Sequence, residues 1–131
     1  MIHSLEVYHQ EQLVFFSDRN WIYPLFELEK FLDKTEHPVQ EFVVHDKIIG
    51  KAAALLMVYF HICQVKAQMI SQLGIETLQY FKVKYQYQQL VDRIYCQTEE
   101  ILQKEMDPAS AYGILKERIK RIASDKKTDR Y

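Results

Sequence analysis

Gly50-Lys51-Ala52-Ala53-Ala54-Leu55-Leu56-Met57-Val58-Tyr59 decides the fold. It reads as the first turns of a helix that follows a β-strand, and it is apolar nearly all round. A helix of that kind must be covered on more than one side. Its lysine lies at the positive end of the helix dipole, an unfavourable place for a cation. Lys51 is therefore a candidate binding group, because an ammonium beside free helix N–H groups attracts phosphate or carboxylate. The competing reading pairs Lys51 with Asp46, and such a pair contributes little if exposed.

Working outward, Ser4 to Tyr8 and Leu13 to Ser17 are short β-rich runs split by His9-Gln10-Glu11-Gln12, the pattern of a hairpin. Ile22, Leu25, Phe26, Leu28, Phe31 and Leu32 recur at helical spacing, with Asn20 as expected N-cap and Pro24 in the opening turn. Glu41 to His45 reads as a strand, Asp46-Lys47 as a turn, and the Gly50 helix runs to about His61. Gln64 to Ile70 is a further strand, and Ser71 caps a helix through Phe81. Val83, Tyr85 and Tyr87 alternate with Lys84 and Gln86 as in a half-buried strand. Thr98 to Met106 is helical, with a restart at Asp107-Pro108, where Asp caps and Pro takes the first helical position. The expected division is one domain over 1–123 and a polar tail over 124–131. The order β-β-α-β-α-β-α-β followed by helices predicts a mixed sheet with helices on both faces.

Several chemistries are excluded. Gly50, Gly74 and Gly113 are the only glycines, so neither a P-loop nor a GxGxxG fingerprint can be written. There is no GxSxG elbow. His3, His9, His37, His45 and His61 are scattered, and no short His/Cys cluster announces a metal. A formal charge of −1 gives no general argument for nucleic acid or membrane. Cys63 and Cys96 are too few for a disulfide scaffold, and Ala52 to Phe60 is too short to span a bilayer. With no export signal visible, the expectation is a cytoplasmic protein without membrane or nucleic-acid partners.

Three stretches carry a family resemblance: Asp46-Lys47-Ile48-Ile49-Gly50-Lys51 with the alanines and leucines after it, Ile22-Tyr23-Pro24-Leu25, and Cys96-Gln97-Thr98-Glu99-Glu100 with Asp107-Pro108 beyond. With them the chain resembles an uncharacterised bacterial family of small domains with a cytidine-deaminase-like fold. The resemblance implies a three-layer α/β/α core whose mixed sheet has about five strands. Active deaminases place His-Ala-Glu at the start of the second helix and Pro-Cys-x-x-Cys at the start of the third. Those residues hold zinc, activate water and move protons. Here the first position reads Lys51-Ala52-Ala53 and the second falls around Met69-Ile70-Ser71-Gln72, with neither imidazole nor thiolate. Zinc-dependent deamination is therefore not expected, and neither a metal nor another cofactor is implied. The closer relatives carry Cys-Pro-Met-Glu after a longer, glycine-containing segment, whereas this chain has Cys96-Gln97-Thr98-Glu99 after the short 91–95.

The function expected is therefore a domain of unknown activity that holds a small anionic or nucleotide-like ligand near Lys51. Asp46, Gly50, Lys51, Ser71, Cys96 and Glu99 are the candidate contacts, in a cleft where the Gly50 and Ser71 helices begin. The alternative is an interaction or homodimerisation module using Trp21 and Tyr23. Cys96 at a helix start could be an activated thiol or an ordinary buried one. Cys63 reads as packing. The aromatics Tyr80, Phe81, Tyr85 and Tyr87 among Lys82 and Lys84 fit a strand better than a nucleic-acid platform.

Overall fold

Two left-handed residues close the first hairpin. The structure, a computed structural model, describes residues 1–94 and 97–128. Strands β1 (Leu5–His9) and β2 (Gln12–Ser17) are joined through Gln10 and Glu11, at φ 49° and 67°. Positive φ at both central residues matches the twist of a two-residue hairpin. After α1 (Tyr23–Lys34) and a 3₁₀ turn at Val39–Glu41, the chain runs β3 (Phe42–Ile49), α2 (Lys51–Tyr59), β4 (Gln64–Ser71), α3 (Gln72–Tyr80), β5 (Lys84–Val91), α4 (Gln97–Ile101) and α5 (Pro108–Thr128). The sheet order is β2-β1-β3-β4-β5. β1 is antiparallel to both neighbours, and β3, β4 and β5 are parallel. The result is a mixed five-stranded sheet, as expected from the order of elements.

Asp46 and Lys47 do not form a turn. β3 continues through them because Asp46 pairs with Ala67 and Ile48 with Met69 in the parallel ladder. That extension carries the Asp46 side chain to the place where α2 begins. Asn20 does not cap α1 either: Ile22 is the N-cap, without a side-chain hydrogen bond. α4 stops at Ile101, short of the expected Met106. α5 carries the polar stretch from Ser124 on as helix to Thr128.

Leu5, Val7, Phe42, Val44, Val65 and Ala67 share one sheet face and are buried. Helices cover this face: Phe31 of α1 stacks on Phe15 at 5.1 Å and meets Phe42 at 5.6 Å, and Gln79 of α3 donates to the Tyr85 hydroxyl at 2.8 Å. The alternate residues Glu6, His45, Lys66 and Gln86 line the other face, where Lys66 and Gln86 are exposed. The helical cover expected on both faces is seen on the apolar one. Tyr87, expected inside, is 44% exposed because β5 is a sheet edge.

α2 is enclosed. Residues 51–57 are all buried, and Tyr112 of α5 stacks on Tyr59 at its far end, 4.4 Å between rings. An all-apolar helix fits a place between a sheet and an outer helix. α2 and α3 both end in Schellman motifs without glycine. His61 and Lys82 take φ 65° and 60°, and Ile62 N–H reaches Met57 O as Val83 N–H reaches Leu78 O. Gly74 lets α3 begin close against β3, since a Cβ there would lie 2.8 Å from the Ile49 carbonyl. Among the described residues no helix is long and apolar enough to cross a membrane.

Candidate functional site

α2 begins without local help. Gly50 offers no side-chain cap and the first turn contains no acidic residue, so its leading N–H groups need a distant acceptor. Glu99 of α4 supplies one. Its Oε2 accepts from Lys51 N–H at 2.9 Å and from Ser71 Oγ at 3.0 Å, and its Oε1 accepts from Ile94 N–H at 2.9 Å. Glu99 is 2% exposed, and Ser71, fully buried, also caps α3 by accepting from Gly74 N–H at 3.0 Å. One carboxylate thus joins the starts of both helices, where their dipoles favour negative charge.

Gly50 makes the approach possible. A Cβ at that position would clash with Glu99 Oε2, part of a carboxylate that three donors hold in place. Gly50→Ala is expected to cost about 1–3 kcal/mol, as overpacking does. Urea unfolding of the two proteins checks this, and an unchanged midpoint would contradict it.

The Lys51 side chain does not face an anion cradle. It is 4% exposed, and its ammonium donates to the Gln103 carbonyl at 3.2 Å and to Met106 Sδ at 3.3 Å. Burial pulls its pKa down, an effect partly opposed by the carboxylates of Glu76, Glu105 and Glu99. The pairing with Asp46 considered from sequence is not among the contacts of Lys51. The N–H and ammonium expected to greet an external anion are engaged internally.

A cavity of about 250 Å³ opens beside this network. Its lining joins buried Asp46, Lys51 and Glu99 and the neighbouring Gly50 to the more exposed Arg19, Trp21 and Lys47. Ser71 is not part of its wall, and Cys96 lies outside the described residues. Four of the six sequence candidates therefore meet in one cavity: Asp46, Gly50, Lys51 and Glu99. Burial pushes the Asp46 carboxyl up to about 7, against the opposing hydrogen bonds from the Ile48 and Lys47 N–H groups. It can therefore give or accept a proton near neutral pH. Trp21, also in the lining, holds φ 61°, uncommon for a bulky residue, and is 38% exposed. Beside it the Arg19 guanidinium lies 4.2 Å over the Tyr23 ring.

Zinc of the deaminase kind does not fit between these helix starts. The groups presented there are a backbone N–H and a hydroxyl that both donate, already matched to the Glu99 carboxylate. Neither helix start offers the imidazole or thiolate that a zinc site of that kind uses.

Two features escaped sequence reasoning. Cys63 is exposed and not packed. His9, on β1, meets His37 and Glu41, which lie close together in the segment before β3, at one corner of the sheet.

The family profile described as TM1506, domain of unknown function (DUF1893), matches residues 3–119. The crystal structure of a DUF1893 family protein, TM1506 from Thermotoga maritima, is similar with a TM-score of 0.77 and 20% identity. The alignment covers 88% of this chain and 80% of that one. At that identity the likeness speaks for the fold alone. Among curated proteins none matches.

Proposed function

This chain belongs to the DUF1893 family, a domain of unknown function, and on that premise we propose that it is a small-molecule-binding domain without zinc-dependent deaminase activity. The observation that carries the reading is the cavity lined by both buried Asp46 and exposed Trp21. Its volume of about 250 Å³ lies just under the range typical of drug-sized pockets, which favours a ligand no larger than a nucleotide fragment or a small metabolite. A planar ring stacks on Trp21, and the Asp46 carboxyl pairs with a polar edge. Arg19 and Lys47 attract an anionic group, since the Lys51 ammonium is engaged internally. Kinship with the cytidine-deaminase-like folds, implied by the resemblance in sequence, is part of this proposal, and it makes a nucleotide-like ligand the first choice.

Thermal-shift measurements with nucleosides, nucleotides and phosphorylated metabolites test it. A ligand at a hundred times its Kd is expected to add about 2.7 kcal/mol, and Trp21→Ala or Arg19→Ala should remove most of that gain. A library with no stabilising compound at millimolar concentration would sink the reading. Trp21 also serves the homodimer alternative. Light scattering that shows a dimer broken by Trp21→Ala, beside a blank ligand screen, would put that alternative first.

A further inference from the structure

We propose that His9, His37 and Glu41 form a binding site for one divalent transition-metal ion of the zinc class, separate from the cavity. The three residues come from three segments: the end of β1, the connection after α1, and the 3₁₀ turn that leads into β3. Their candidate ligand atoms all lie within 4.8 Å of one another. His9 Nε2 and Glu41 Oε1 are already 2.8 Å apart. Two ligands on one ion with bonds near 2.0–2.1 Å sit about 3 Å apart, so this pair is at coordinating distance and only His37 must close in.

The surroundings support that movement. The His9 and His37 rings stack with 3.9 Å between centroids and a 22° tilt, which holds the two imidazoles side by side. Buried Phe42 meets both rings edge-on, at 5.8 Å and 6.2 Å, and forms an apolar floor under them. His37 is exposed, so a turn of its side chain costs little. His9 is held more firmly, with its side chain 11% exposed. The set is therefore half preorganised, with one anchored imidazole, one bonded carboxylate and one mobile imidazole.

The donor types choose the metal. Two imidazoles and a carboxylate suit Zn²⁺, Ni²⁺, Co²⁺ or Cu²⁺ better than Mg²⁺ or Ca²⁺, which prefer all-oxygen shells. Three protein ligands leave at least one position for water. An ion there would tie the hairpin end to the segment that feeds β3.

Calorimetric titration of the untagged full chain with ZnCl₂, and CoCl₂ absorption spectra, test this. The expected result is one ion per chain with a Kd tighter than about 100 μM, weakened at least tenfold, some 1.4 kcal/mol, by His37→Ala and by Glu41→Gln. His9→Ala/His37→Ala should abolish it, whereas His3→Ala and His61→Ala should not affect it. His37→Ala lies on an exposed connection and keeps the test valid should His9→Ala disturb the hairpin. Binding weaker than that limit, or binding unchanged in the double variant and hence an adventitious ion only, would overturn the proposal.

Discussion

Glu99→Ala is expected to destabilise the domain by about 4 kcal/mol, more than any other single truncation outside the apolar core. The carboxylate serves Lys51 N–H, Ser71 Oγ and Ile94 N–H together. Hydrogen bonds to charged acceptors contribute about 1.5–3 kcal/mol each, and a buried donor left without a partner costs a further share. Simple addition would exceed 4 kcal/mol. The neighbouring cavity lets water reach the orphaned donors, and that sets the lower figure. A domain of this size has about 5–15 kcal/mol in all, so a melting point lower by on the order of 10–15 °C is expected. Glu99→Gln should recover only part of this, because its NH₂ group faces a donor where the wild type has an acceptor. A melting point within about 2 °C of wild type for Glu99→Ala would mean that the two helix starts are held by something else.

Asp46→Asn is expected to do the reverse. Burial raises the Asp46 pKa from 3.8 to about 7, so the folded chain holds this proton more tightly than the unfolded chain. Between those two values the folded state carries more protons, and stability falls as pH rises through the window. Above it the full penalty is present. At 1.36 kcal/mol per pKa unit the limit is about 4 kcal/mol, and water in the cavity trims it to about 2–4 kcal/mol. Asn keeps an oxygen for the Ile48 N–H and has no charge to bury. The variant should therefore be more stable than wild type at pH 8, with the gap closing as pH falls towards 4. His45, whose pKa burial lowers, has the opposite slope near its own titration. For that reason the difference between the two proteins, and not the wild-type curve, is the measurement. A gap that stays constant with pH would contradict the raised carboxyl.

The alanine-rich helix was legible because an unbroken apolar composition admits few other uses. Its enclosure also followed, since no polar stripe was left for water. The end of β3 was not legible. Asp46-Lys47 has the polarity of a turn, and only the parallel partner, β4, keeps it extended. The ends of α2 and α3 were legible near His61 and Phe81, but the left-handed residues that close them, His61 and Lys82, were not, because such backbone is signalled by glycine and neither position has one. Glu99 stands near Cys96 in sequence, but two of its three bonds lie with Lys51 and Ser71, 48 and 28 positions earlier. The one local hint was negative: a helix start with no Ser, Thr, Asp or Asn to cap it needs an acceptor from elsewhere. His9 and His37 looked scattered because their meeting depends on the register between β1 and β3.

The long reach of Glu99 also bears on synthesis. Until Glu99 and Gln103 have left the ribosome, α2 has neither its cap nor the carbonyl that receives the Lys51 ammonium. The central helix of a nascent chain is thus unfinished until α4 emerges, and a product cut short before Glu99 would expose that helix to chaperones and proteases.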